Sequence, residues 1–346
     1  MKRHLKKSIF LLCSVALVLL IAGVLYYFIQ NTRYPFKTNG KKINFQIKQG
    51  ERLEQVIDNL SSSKLVKNPL LIKWYTKRHF ENGLLKPGKY SFSKGISLSN
   101  FVLYVERGIR DDRPVKVIIP EGYDIEQIGN LLEKKGIISS SNFIKSCREY
   151  KLPDFVKKDS KRRYALEGYL FPDTYDFLKG SSGDYIIEVM LNRFSDVLDK
   201  VQEDTGKHLN IQEMDKIITM ASIVEREVKK PEERGKAASV FYNRLKRNMK
   251  LQSCATIQYV LYDTQNKMKE KISDADTKIE HSYNTYLHEG LPPGPICSPG
   301  LASIEAALYP DEESVYFYFV AKGDGTHHFS KTLEEHLQAV ETYQTE

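Results

Sequence analysis

Few side chains in this sequence are placed to do acid–base chemistry, and the most telling is a glutamate in the stretch IQEMDKIITMASIVEREV. The apolar spacing predicts a helix from Gln212 to Val228. At about 100° per residue, Met214, Ile218 and Ala221 fall within roughly 40° of Glu225, whereas Glu227 projects to nearly the opposite side, beside Ile223. Glu225 is therefore expected in the middle of an apolar stripe. A carboxylate there loses hydration, which disfavours its charged form and raises its pKa, as a general acid near neutral pH requires. A glutamate one turn from a helix end has two other courses: bending out to solvent, or pairing with Arg234 or Lys236.

Other chemistries are poorly represented. His327-His328 is the one close histidine pair, and adjacent strand residues point to opposite faces, which suits no shared metal ion. There is no Gly-rich phosphate loop, HExxH or GxSxG motif, so metal and serine hydrolases are disfavoured. Neither a metal nor a cofactor is expected.

The elements that must position Glu225 begin near Tyr164. Long helices are expected at Tyr185–Val201, Gln212–Val228 and Glu232–Arg247. Strands follow at Val315–Ala321 and His327–Phe329, then a last helix at Thr332–Thr342. Between them Gly290–Gly300 holds four prolines and three glycines, a stiff loop suited to a cleft wall. Upstream lies an internal repeat at an offset of 72 residues: FQIKQGERLEQVIDNLSSSKLV from Phe45 lies over VIIPEGYDIEQIGNLLEKKGII from Val117. Each copy reads strand, glycine turn, amphipathic helix, with apolar positions Leu53, Val56, Ile57 and Leu60 or Ile125, Ile128, Leu131 and Leu132. In the first copy a second helix (Pro69–Arg78) and strand (Gly88–Phe92) follow. That element order resembles the LysM glycan-binding module; two packing modules are the plainer alternative.

The chain has 346 residues, 41% hydrophobic and 28% charged, with a net charge of +8. This excludes one small module, a disordered chain and a polytopic membrane protein. Lys2, Arg3, Lys6 and Lys7 supply half of the net charge, so no nucleic acid is needed to explain it. Behind them Ser8–Ile29 is free of charge and spans about 33 Å as a helix, enough to cross a bilayer core of about 30 Å. Tyr26 and Tyr27 sit near its far end, and the basic cluster is expected to stay cytoplasmic. A cleaved signal peptide is the alternative, but the run is too long and ends in no small-residue cleavage site. The organisation expected is a tail (1–7), a membrane helix (8–29), a linker (30–42), a LysM-like module (43–110), a second repeat module (111–160) and an α+β catalytic domain (161–346).

Six stretches together resemble the endolytic murein transglycosylases, the YceG-like (MltG) family: MASIVEREV (220–228), ERGKAASVFYNRLKRNMKLQS (233–253), YNTYLHEGLPPGPICSPG (283–300), YFVAKGDGTHHFS (318–330), LEGYLFPDTY (166–175) and IPEGYDIEQI (119–128). The resemblance implies a single-pass inner-membrane lyase with its catalytic domain outside the cytoplasm. Such an enzyme cleaves nascent peptidoglycan strands between MurNAc and GlcNAc and leaves 1,6-anhydroMurNAc ends, beside the peptidoglycan synthases. It also implies that Glu225, the glutamate of the SIVE-type motif, is the single general acid and base. Hydrolysis would want a second carboxylate, for which Glu167 or Asp173 would serve. The non-enzymatic rival is a tethered glycan-binding scaffold.

By the same resemblance, Asn243, Gln252, Ser253, Tyr283, Asn284 and Thr285 match polar family positions that would contact sugar. For Asn243 the alternative is helix capping, and for Asn284 a turn. Where an Asp-Pro often follows the Gln-Ser/Thr pair, Cys254-Ala255 stands here, leaving any role of that aspartate in doubt. In an oxidising compartment Cys254 and Cys297 are expected to form a disulfide, with Cys147 free. A zinc site combining them with His281 or His288 is the lesser alternative.

Overall fold

The computed structural model describes Gly23 and residues 26–28, 30–32, 35–37, 42–79, 85–92, 96–108, 114–206, 208–265, 269 and 271–344. Most of the Ser8–Ile29 run lies outside the described residues. No helix among the described residues is long and apolar enough to cross a membrane. The architecture is mixed α+β, with three separate two-stranded sheets among the described residues.

Two compact units are present. The first comprises residues up to 115 plus 178–181. In it β1 (Ile43–Ile47) pairs antiparallel with β2 (Gly88–Phe92), and α1 (Leu53–Ser62) and α2 (Pro69–His79) lie between them in sequence, followed by α3 (Leu98–Arg107). The apolar residues of α1 expected to face inward, Leu53, Val56, Ile57 and Leu60, are all buried. They join a core with Phe92, Phe101 and Tyr104.

The second unit comprises residues 116–177 and 182–346, so the second repeat copy shares one compact unit with the segment expected to be catalytic. This copy has the same order: β3 (Val115–Ile118), α4 (Ile125–Lys134), α5 (Ser140–Glu149), then β4 (Thr174–Phe177), paired with β3. Helix α4 begins and ends 72 residues after α1, as the repeat predicts. Ile125, Ile128 and Leu132 are buried as expected, but Gly129 takes the fourth inward place. A Cβ there would come within 2.9 Å of Ser140 Oγ, so the missing side chain permits the close approach of α4 and α5. The copies differ most before the closing strand: residues 150–173 in the second copy replace 80–87 in the first.

The rest of this unit is built on helices: α6 (Gly183–Thr205), α7 (Ile211–Glu227), α8 (Pro231–Lys246), α9 (Cys254–Gln265) and α10 (Leu301–Leu308). A hairpin of β5 (Tyr318–Ala321) and β6 (His327–Ser330) follows, then α11 (Leu333–Gln344). Helix α7 starts at Asn210, whose side chain accepts from the backbone N–H groups of Gln212 and Glu213 while Glu213 reaches back, a capping box. Its residues Met214, Asp215 and Ile218 through Val224 are all buried. A helix apolar all round belongs to a core, and α8, α9 and α10 pack against it.

The long connection 150–173 holds this helix. Gly168 has φ +85°, and a Cβ there would lie 2.4 Å from Pro295 Cβ and 3.2 Å from Ile218 Cγ2. Both the left-handed backbone and the lack of space demand glycine. Gly168→Ala is expected to destabilise this unit by about 2 kcal/mol or more, read as a lower urea midpoint with an unchanged slope.

Candidate active site

Four polar side chains of α7, those of Asp215, Ser222, Glu225 and Glu227, find partners outside the helix. Asp215 accepts from Arg162 Nη2 at 2.6 Å and from the Tyr169 hydroxyl at 2.8 Å. Ser222 Oγ accepts the backbone N–H of Ile296 at 3.0 Å, and Ser222 O accepts from Cys297 Sγ at 3.3 Å. Glu225 and Glu227 complete the series, with different surroundings.

Glu225 shares a buried helix face with Met214, Ile218 and Ala221, as expected, but its carboxylate is held by polar partners. Its Oε1 accepts from Arg234 Nη2 of α8 at 2.9 Å, and its Oε2 accepts the backbone N–H of Gly300 at 3.0 Å. Its side chain is 6% exposed and that of Arg234 7%. Pairing with Arg234, the alternative the sequence offered, is what the structure contains. Arg234 Nη1 also lies 3.6 Å from Glu121 Oε2. Partial burial, then the charge of Glu225, pushes the Glu121 carboxyl up, and Arg234 pulls it the other way. A Cβ on Gly300 would meet Glu121 Oε1 at 2.0 Å, so a side chain there would push the Glu121 carboxylate aside. The turn carrying Glu121 is tied to the same loop: Gly122 N–H donates to Ser298 O at 2.9 Å and Ser298 N–H to Tyr123 O at 2.8 Å. Glu225 thus fastens the Pro-rich loop to the helix.

Glu227, the last helical residue, opens into a cavity of about 470 Å³ that Glu225 does not line. Ser253 Oγ donates to Glu227 Oε1 at 2.5 Å, and the backbone N–H of Ala255, in the first turn of α9, donates to the same oxygen at 3.0 Å. Both bonds converge on Oε1, so Oε2 is the oxygen left to meet a ligand. Among the described residues Glu227 is the only carboxylate in the cavity wall, alongside Gln252, Ser253, Cys254, Tyr286, Arg244 and His336. Gln252 holds φ +50°, a conformation rare outside glycine and costly unless surroundings enforce it. Its N–H donates to Thr285 O at 3.1 Å, and Ser253 N–H donates to Thr285 Oγ1 at 3.0 Å. Thr285 therefore sets the Gln252-Ser253 turn against Glu227.

Of the expected sugar contacts, Gln252 and Ser253 reach the cavity and Thr285 supports them from behind. The other three are structural. Asn243 Nδ2 donates to Ser314 O and Tyr316 O at 2.9 and 3.1 Å, and the residue borders a different cavity, of about 990 Å³. Asn284 is buried, donating to Thr277 O and Ile279 O and accepting from Tyr286 N–H, the turn role. Tyr283 is buried against Tyr259, with ring centroids 4.9 Å apart, so it offers no face to a sugar.

The expected Cys254–Cys297 disulfide is not formed; both thiols and that of Cys147 are free. Cys254 is exposed at the start of α9, its Sγ 3.2 Å from the Tyr286 hydroxyl, whereas Cys297 is buried against Ser222. Shared membership of one loop-rich region did not bring the sulfurs together. His281 bonds Asp263 at 3.2 Å instead of joining them. Glu167 is fully buried and accepts the N–H of Ile125 at 3.2 Å, while Asp173 pairs with Arg193 at 2.6 Å; neither lines the Glu227 cavity.

A family model described as the YceG-like family matches residues 45–342. The chain belongs to that family. An endolytic murein transglycosylase of Bacillus subtilis (strain 168) is 32% identical over 338 residues, covering 94% of this chain and 91% of that protein. The endolytic murein transglycosylase of Streptococcus pneumoniae serotype 2 is also 32% identical, over 93% of this chain, which spans 62% of the longer streptococcal protein. A 2.6 Å crystal structure of a yceG-like protein from Listeria monocytogenes superposes with a TM-score of 0.57 at 33% identity, covering 87% of this chain and 99% of that one.

The buried Glu167 gives this YceG-like chain a pH signature. Burial, then the nearby Asp124 charge, pushes its carboxyl well up. The native state then keeps a proton that the unfolded chain releases at about pH 4.3. Its contribution is fully present below that pH and is lost as pH rises toward the elevated native value. Glu167→Gln is therefore expected to gain stability relative to the parent as pH rises above about 4.3, measured by thermal unfolding at each pH.

Proposed function

We propose that this chain is an endolytic peptidoglycan lytic transglycosylase whose general acid and base is Glu227. The observation that carries the reading is the cavity in which one carboxylate meets Gln252, Ser253 and Tyr286, in a chain whose relatives are named endolytic murein transglycosylases. Glu225, the residue favoured by helix spacing, is engaged by Arg234 and Gly300 and serves as a fastener.

In this mechanism Glu227 donates its proton to the glycosidic oxygen as the C1–O bond of MurNAc breaks, freeing the GlcNAc hydroxyl. The carboxylate then accepts the proton of the C6 hydroxyl of the same MurNAc as O6 bonds to C1. A 1,6-anhydro ring results, the glutamic acid is regenerated and no water is consumed. Ser253 and the Ala255 N–H fix the orientation of the carboxyl through Oε1, so Oε2 serves as the proton-transferring oxygen. That Glu227 is the one carboxylate among the described residues of the cavity wall favours this route over hydrolysis, which uses two.

The substrate is the glycan strand, met at the outer face of the membrane. Residues 8–29 act as a single membrane anchor with the basic N-terminus inside, which places both compact units outside the cytoplasm and close to peptidoglycan synthases. The strand–helix–helix–strand copy at 43–92 serves as a LysM-like module that helps hold the strand, a reading supported by its element order.

The test is to incubate the full chain with uncrosslinked glycan and determine product masses. Anhydro ends are expected; products heavier by one water would make the enzyme a hydrolase. Glu227→Gln is expected to lower turnover by about 100-fold or more with the fold retained. Glu225→Gln, which removes the charge opposite buried Arg234, is expected to lower stability by about 2 kcal/mol while turnover persists at low temperature. Loss of turnover in a well-folded Glu225→Gln protein alongside an active Glu227→Gln protein would reverse the two assignments.

A further inference from the structure

Helix α2 carries a surface stripe that neither the core nor the site uses. Ile72 and Thr76 are buried in the first unit, whereas Leu70 is 81% and Trp74 51% exposed. Residues four apart share a helix face, so Leu70 and Trp74 form one apolar stripe, which Arg78 continues. The Arg78 guanidinium lies 5.7 Å from the Trp74 ring centroid. Lys67 and Lys77 are exposed beside them, so the stripe has a cationic rim.

What abuts this stripe is the end of the uncharged N-terminal run. Phe28 meets Trp74 edge to face, with centroids 6.0 Å apart, and Asn68 Nδ2 donates to the Tyr27 hydroxyl at 2.9 Å. Tyr26 and Tyr27 are themselves 66% and 56% exposed. If residues 8–29 cross the bilayer, their tyrosine end lies where lipid chains give way to headgroups, the level that Trp and Tyr favour. The contacts to Asn68 and Trp74 then fix α2 at the same depth.

We infer that the Leu70–Trp74 face of α2 lies in the headgroup region of the bilayer, with Lys67, Lys77 and Arg78 against anionic lipid. An apolar face with a tryptophan and a basic border is the composition of helices that lie in this interface, and each cation adds attraction to anionic headgroups. The first unit is then seated on the membrane by two contacts, the anchor and α2. This inference rests on the reading of residues 8–29 as the anchor.

Trp74 is the only tryptophan in the chain, so its fluorescence reports this face alone. The experiment reconstitutes the full chain in phosphatidylcholine vesicles containing phosphatidylglycerol, with spin-labelled lipids carrying the quencher at the headgroup or at the chain terminus. Trp74 is expected to lose most of its emission to the headgroup quencher, little to the deep quencher and little to aqueous acrylamide. Omitting phosphatidylglycerol, or substituting Lys77→Glu with Arg78→Glu, is expected to return it toward acrylamide. A chain that floats with the vesicles while Trp74 is quenched only by acrylamide would overturn the inference and leave the anchor intact. Shielding from acrylamide and from both lipid quenchers would overturn it in favour of a protein cover. A chain that does not float would overturn the anchor, and the seating of α2 with it.

Discussion

The constraint on which the second unit depends is that α7 is buried on every side over residues 218–224 and carries polar side chains within and beside that stretch. Its backbone is satisfied within the helix, but a buried carboxylate or hydroxyl is costly without a partner. Asp215, Ser222, Glu225 and Glu227 each find one on a different segment: the 150–173 connection, the Pro-rich loop, α8 and that loop together, and the start of α9. The helix fixes the loops, and the loops fix the cavity. Because these bonds draw on separate stretches of chain, the site is assembled only when the whole unit has folded.

The two glutamates near the helix end show how this works. Glu225 lies where Arg234 and the Gly300 N–H both reach it, so its oxygens are occupied. Glu227 is the last helical residue, followed by extended Val228, and its end of the helix abuts the Gln252-Ser253 turn. Two neighbouring carboxylates of one helix are thereby divided between holding a wall in place and facing the space behind it.

Much of the fold was legible in the sequence because apolar periodicity reports burial directly. The predicted limits of α6, α7 and α8 lie within a few residues of those observed, and the repeat offset located α4 from α1. The site was less legible. Placing an acid by its angle on a helix presumes a wet side and a dry side, and α7 has no wet side over residues 218–224. The informative quantity was what each acid packs against, which is set by Ser253 and Arg234 far along the chain. Asn243 and Asn284 hold backbone carbonyls and Tyr283 packs in the core, and a sequence match does not separate such roles from sugar contact. Gln252 and Ser253, taken from the family resemblance, do line the cavity. Cys254 and Cys297 failed as a pair because nearness of loops says nothing about the direction in which a sulfur points.

The 150–173 connection has one further consequence. The two copies share an element order, but only in the second does this connection supply Arg162, Gly168 and Tyr169 to α7, with Arg162 also holding Pro293 O at 3.0 Å. Local opening follows the density of such ties. The second copy is therefore bound into the cooperative unit of the active site, and amide exchange in α4 and α5 should track that of α7. The first copy packs instead on an aromatic core of its own, with Phe92, Phe101 and Tyr104, so two stretches of like element order draw their stability from different partners.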